Sequence, residues 1–239
     1  MRIGVISAFG KESKPLRSRL KEIGREEMND HLCFVLRYGQ EEVIVLRSGS
    51  GKERGRKATE LLINRFYPQL IINCGTAGAI SPHRRIGDVI ISEHVIEYEA
   101  NDDQLFKEAT YQSDPDLVTT SRQVTVESLP KEKIVAGIIL SGTPVINSKK
   151  RKDELWNQFH GQCVEQEGAG VAKVCQEHNI PWIVIRGISD QADEHARKEF
   201  KKNIDYASQN AALVTFEFMK MLFNDPLTLI NRVRYSKRN

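Results

Sequence analysis

Leu70-Ile71-Ile72-Asn73, followed by Cys74-Gly75-Thr76-Ala77-Gly78, sets the architecture of this chain. A short apolar run bounded by glycine reads as a buried strand that ends in a loop. Toward both termini the same reading applies to residues 3–7, 89–96, 134–140 and 182–188. Residues 32–36 and 43–46 flank a polar stretch whose Gly39 suits the turn of an antiparallel hairpin. Helical stretches lie between these strands. One starts near Ser13, with Pro15 in its first turn and Leu16, Leu20 and Ile23 on one face. Another follows Ser48-Gly49-Ser50-Gly51, turns Ala58, Leu61, Leu62 and Phe66 inward, and ends at Pro68. Residues 167–176 are rich in small side chains, and 195–223 form a long amphipathic helix. Residues 99–131, with Asp102, Asp103, Asp114 and Asp116, read as a polar loop or flap. Strands separated by helices predict an α/β fold, a three-layer α/β/α sandwich around a mixed central β-sheet.

The 239 residues suffice for one sizeable domain, placed at 1–223, with a basic C-terminal tail at 224–239. Arg232, Arg234, Lys237 and Arg238 make that tail a solvated segment. A hydrophobic share of 40%, a charged share of 28% and a formal charge of +3 describe an ordinary globular protein and do not point to nucleic acid. The four cysteines, Cys33, Cys74, Cys163 and Cys175, have no CxxC spacing and read as buried thiols of a reducing compartment. The six histidines lack HxxxH spacing, so no metal site is expected. The apolar run at the N-terminus is too short for a signal or a membrane span. A cytoplasmic protein without membrane or nucleic-acid partners is expected.

Polar and glycine-rich strand ends mark where chemistry belongs in such sheets. Gly49-Ser50-Gly51 and Gly55 sit between a strand and a helix, but their spacing is wrong for GxGxxG and no acid ends the next strand. A tight turn presenting backbone amides is the better reading, and no cofactor is expected. Neither GxxxxGK[ST] nor GxSxG occurs. In Val164-Glu165-Gln166-Glu167-Gly168, two carboxylates precede a small-residue helix, where acids are also favoured by the helix dipole. Arg186 interrupts an apolar strand and needs a partner, either Glu12 or a bound anion. Asp190 ends that strand, a place also natural for a capping or turn residue.

Together these segments resemble the purine nucleoside phosphorylase superfamily, and within it the 5′-methylthioadenosine/S-adenosylhomocysteine nucleosidases. The resemblance runs from Ile3 to about Phe223, through IGVISAFGKE (3–12), SGSGK (48–52), INCGTAGAI (72–80), IGDVIIS (86–92), ILSGTPVIN (139–147), VEQEGAG (164–170) and VIRGISDQAD (184–193). It implies hydrolysis of the N-glycosidic bond of a purine nucleoside, with a place in methionine salvage. Asp190 would protonate purine N7, which requires a pKa raised by burial. Glu12 would activate water, positioned by Arg186 and Thr76. Glu167 would take the ribose hydroxyls, with Glu165 beside it, and Ile146 and Ser189 would frame the base. A homodimer is implied, with residues 89–96 and the small-residue helix as candidate interface.

The chain also departs from the family's pattern. Thr143 stands where an Asp is usual, Val145 where an aromatic stacks on the base, and Gln166 where a Met packs under the ribose. These departures leave the 5′-substituent open. Hydrolysis is favoured over phosphorolysis because Glu12 would repel phosphate, although Lys11, Arg47 and Lys52 could still bind an anion. A phosphate-dependent phosphorylase, a nucleosidase-type defence effector module and a non-catalytic nucleoside-binding or storage protein are the alternatives.

Overall fold

The computed structural model describes residues 1–101 and 104–224. Its middle layer is a mixed sheet of ten strands. At its centre β1 (Arg2–Ser7) lies parallel between β4 (Glu41–Arg47) and β5 (Leu70–Ala79). β2 (Lys21–Met28) and β3 (His31–Tyr38) extend the β4 edge as an antiparallel meander. On the other side β5 pairs in parallel with β10 (Trp182–Asp190), and β10 pairs antiparallel with β6 (Val89–Ala100). β6 then pairs with β8 (Ile134–Gly142), and the short β9 (Cys163–Glu165) connects β8 back to β5. Because β10 touches both β5 and β6, this half of the sheet closes on itself.

Strand β5 shows why the apolar runs are unbroken. Leu70 and Ile72 belong to a core shared with Leu16, Leu117 and Phe218, from the layer of α1 (Gly10–Arg17), α3 (Pro115–Ser121) and α6 (Ala196–Asn224). Ile71 faces the opposite layer, where α2 (Lys52–Phe66) and α5 (Gly168–Glu177) contribute Ala58, Leu62, Phe66, Ala169 and Ala172. A strand covered on both faces has no polar side, so its sequence cannot alternate. α4 (Lys149–Phe159) packs Leu155 and Phe159 against Tyr98 and Leu140.

Several sequence expectations are corrected. The first helix ends at Arg17, so Leu20 lies beyond it and Ile23 sits exposed on β2, whose register is imposed by β3. Gly75–Gly78 is not a loop: β5 continues to Ala79 because the ladder with β10 runs its length. The polar stretch 99–131 carries β7 (Leu105–Gln112), which extends β6, and helix α3. β7 is exposed along most of its length, so no apolar run betrays it. Asp114 caps α3, accepting from the backbone N–H groups of Asp116 and Leu117 at 3.0 and 3.1 Å. Asp102, Asp103 and the basic tail from 225 onward lie outside the described residues. Of the elements suggested for an interface, Val89, Ile90, Ile91, Val95 and Ile96 are buried within the chain, and α5 packs on α2. The four cysteines are buried free thiols.

Candidate active site

The pairing of β5 with β10 sets Gly75 opposite Arg186 and Gly78 opposite Asp190, bringing the polar ends of the two strands together. Arg186 is fully buried, and an uncompensated charge there costs several kcal/mol. Its Nη2 donates to Asn73 Oδ1 at 2.5 Å, forms an ion pair with Glu165, and lies 3.3 Å from Glu167 Oε2. The partners are therefore the two carboxylates of the β9–α5 turn, rather than the Glu12 or bound anion expected from sequence. β9 makes this possible, because its pairing with β5 and β8 carries Glu165 into the interior. Asn73, a lone amide in an apolar strand, is the sequence signal that points to this cluster.

Glu165 also serves the helix it precedes, accepting from the N–H groups of Glu167 at 3.0 Å and Gly168 at 2.9 Å. This acid thus stands at a helix start, in a buried rather than a solvated setting. Glu167 Oε1 accepts from the Gly51 N–H at 2.9 Å. Gly51 has φ 109°, a conformation open to glycine, so the SGSG turn offers its amide to a carboxylate of the same chain. Burial raises the Glu167 pKa above the ordinary carboxylate range; Arg186 opposes this, and Glu165 and Glu12 add to it.

Glu12 is held by four donors. Its Oε2 accepts from the N–H groups of Ala8 and Phe9, both at 3.0 Å. Its Oε1 accepts from the Thr76 N–H at 2.7 Å and the Thr76 hydroxyl at 2.8 Å. These donors, at the end of β1 and on β5, are all directed at Glu12. Asp190 accepts from Ser189 Oγ at 2.8 Å and from the Ala192 N–H at 3.0 Å, so it does form a turn. Burial nevertheless raises its pKa, against the lowering effect of those two hydrogen bonds.

Glu12 and Asp190 line one cavity of about 430 Å³, a volume that accommodates a nucleoside-sized ligand. Thr76, Glu165, Gln166, Glu167, Ser189, Val145 and Ile146 line it too, as expected from sequence. Arg186 is not on its wall but lies behind it, against the two glutamates. Ile146 is buried, whereas Val145 is 69% exposed at the mouth. Phe9, Ser50, Arg197 and Phe200 also line the cavity and were not singled out from sequence. Phe200 belongs to a long amphipathic helix whose pattern does not mark one turn as special.

A proton donor raised by burial and a separately anchored carboxylate in one cavity are the elements of acid–base cleavage. Comparison with known proteins agrees. The model of the phosphorylase superfamily matches residues 2–220. A 5′-methylthioadenosine/S-adenosylhomocysteine nucleosidase from an Exiguobacterium species is 32% identical over 231 residues, covering 93% of this chain and 99% of that protein. The solved nucleosidase of Neisseria meningitidis, in complex with methylthio-immucillin-A, superposes with a TM-score of 0.84 at 26% identity, covering 92% of this chain and 99% of that one. The futalosine hydrolase of Helicobacter pylori superposes with a TM-score of 0.85 at 25% identity, covering 93% and 98%. The chain belongs to the phosphorylase superfamily, among the members that resemble 5′-methylthioadenosine/S-adenosylhomocysteine nucleosidases.

Proposed function

We propose that this protein hydrolyses the N-glycosidic bond of an adenine nucleoside, releasing free base and sugar. The observation that carries the proposal is the raised, buried Asp190 in the same cavity as the anchored Glu12. Asp190 gives its proton to N7 of the base as the bond between C1′ and N9 breaks, and the bonding electrons leave with the base. Water adds to C1′, and its proton passes to Glu12. The four lone-pair positions of Glu12 are occupied, so one donor must yield to the water. The Thr76 hydroxyl is the one that can rotate away without orphaning a backbone N–H. Glu167 accepts the ribose hydroxyls, and its charge favours the cationic character developing on the sugar. Arg186, with Glu165, holds Glu167 in place. Ser189 and Ile146 frame the base, and Val145 edges it at the mouth.

Water is favoured over phosphate because Glu12 already takes the donors at Ala8, Phe9 and Thr76, and its charge repels a second anion. Relatives are named for methylthioadenosine and adenosylhomocysteine in one case and for futalosine in another, so the fold alone does not name the substrate. A homodimer in the cytoplasm, acting in methionine salvage, accompanies this reading. Among the described residues no helix is long and apolar enough to cross a membrane. The test is incubation with adenosine, 5′-methylthioadenosine and S-adenosylhomocysteine, with and without phosphate. Free adenine at equal rates in both supports the proposal, and strict phosphate dependence overturns it.

A further inference from the structure

Ser50 and Gln166 form a hydrogen-bonded pair on the cavity wall. The Ser50 hydroxyl donates to Gln166 Oε1 at 2.8 Å, and Gln166 Nε2 donates to the Thr143 carbonyl at 2.5 Å. A carbonyl only accepts, so the second contact fixes which end of the amide faces Thr143. Both residues line the cavity, and each keeps unused capacity. Ser50 Oγ retains acceptor lone pairs, and Gln166 Nε2 retains a second N–H.

The pair also stands beside Glu167. Gln166 precedes that residue, and Gly51, next to Ser50, holds its carboxylate. The following step rests on the nucleosidase reading. A nucleoside with its base at Asp190 and its diol at Glu167 turns its 5′ substituent away from the base, along the wall that Ser50 and Gln166 form. We infer that Ser50 and Gln166 select a nucleoside with a 5′-hydroxyl over one with a 5′-alkylthio group. The hydroxyl donates to Ser50 Oγ and accepts from Gln166 Nε2. A methylthio group offers no donor and a weak acceptor, leaving the spare lone pair of Ser50 and the second N–H of Gln166 covered and unused. A site built for a hydroxyl discriminates strongly against an analogue that lacks it.

The test compares kcat/KM for adenosine, 5′-methylthioadenosine and 5′-AMP in the wild type, in Ser50→Ala and in Ser50→Ala/Gln166→Met, with Tm reporting folding. Gln166→Met keeps the volume and removes the amide, and Ser50→Ala alone is the milder change. Adenosine is expected to exceed methylthioadenosine by about tenfold or more, and the double variant to shift that ratio toward methylthioadenosine by a similar factor. The single variant is expected to shift it the same way by less. Equal or greater use of methylthioadenosine by the wild type overturns the inference while leaving the nucleosidase reading intact. An adenosine preference unmoved in the double variant overturns it too, as does a preference for 5′-AMP, which would point to Arg197 at the cavity instead. No adenine from any nucleoside overturns the nucleosidase reading, and the inference with it.

Discussion

Gly75 and Arg186 face each other across the β5–β10 ladder, and a Cβ at position 75 would stand 2.1 Å from Arg186 Nη1 and 2.8 Å from Glu12 Oε1. The glycine gives the buried guanidinium and the anchored carboxylate room to share one side of β5. Gly75→Ala must displace one or both. It is expected to destabilise the fold by about 1–3 kcal/mol, as overpacking does, and to lower kcat/KM beyond what that destabilisation explains. Urea unfolding beside steady-state kinetics separates the two effects. A variant of wild-type activity would show that neither group has moved.

Removing the cation itself is a harsher change. Arg186→Met leaves Glu165 and Glu167 buried together without their shared partner. A broken buried pair costs about 3–5 kcal/mol, so a large fall in the urea midpoint is expected. The loss should be partly recovered in Arg186→Met/Glu165→Gln, where one of the two carboxylates is neutral. No recovery in the double variant would contradict the assigned pairing.

The sequence carried the central sheet and the carboxylates well, because both leave local marks. Residues 70–73 and 182–188 are apolar runs buried on both faces, and Glu12, Glu165, Glu167 and Asp190 are acids at strand and helix ends. What it did not carry depends on long-range pairing. β7 has a mostly exposed, polar surface, and β9 is three residues long, yet β9 delivers Glu165 to Arg186. Local sequence therefore offers Arg186 only Glu12 or a bound anion, and its partners are Glu165 and Glu167. Ser50 and Phe200 join the site through packing, which no local spacing reveals.

Asp190→Asn keeps the size of the side chain and an acceptor for the Ala192 N–H, but cannot donate a carboxylic proton. The expected loss is about 10²–10⁴ in kcat in a variant that still folds cooperatively. The same residue sets a pH limb. Burial raises its pKa, so the acid form persists above the ordinary range, and kcat/KM should decline as pH rises through the shifted value. A rate that rises across that interval would assign the limb to another group.

Glu167 links the site to stability. Its folded pKa is raised to about 7, above an ordinary carboxylate, so the folded state holds this proton more tightly than the unfolded chain. Its favourable contribution is fully present below the unfolded pKa and is lost as pH rises through the folded one. Glu167→Gln, neutral at every pH, should gain in Tm relative to wild type between about pH 4 and pH 7 while losing activity. A Tm difference that stays flat over this interval, measured by thermal scans at several pH values, would count against the shift.

The proposed reaction has water as the nucleophile at an adenine nucleoside. The direct measurement is product analysis after incubation with adenosine and 5′-methylthioadenosine, in phosphate-free buffer and again with phosphate. Free adenine and an equimolar free sugar, formed at the same rate in both buffers, are predicted. Adenine that appears only with phosphate, accompanied by a sugar 1-phosphate, would contradict the account.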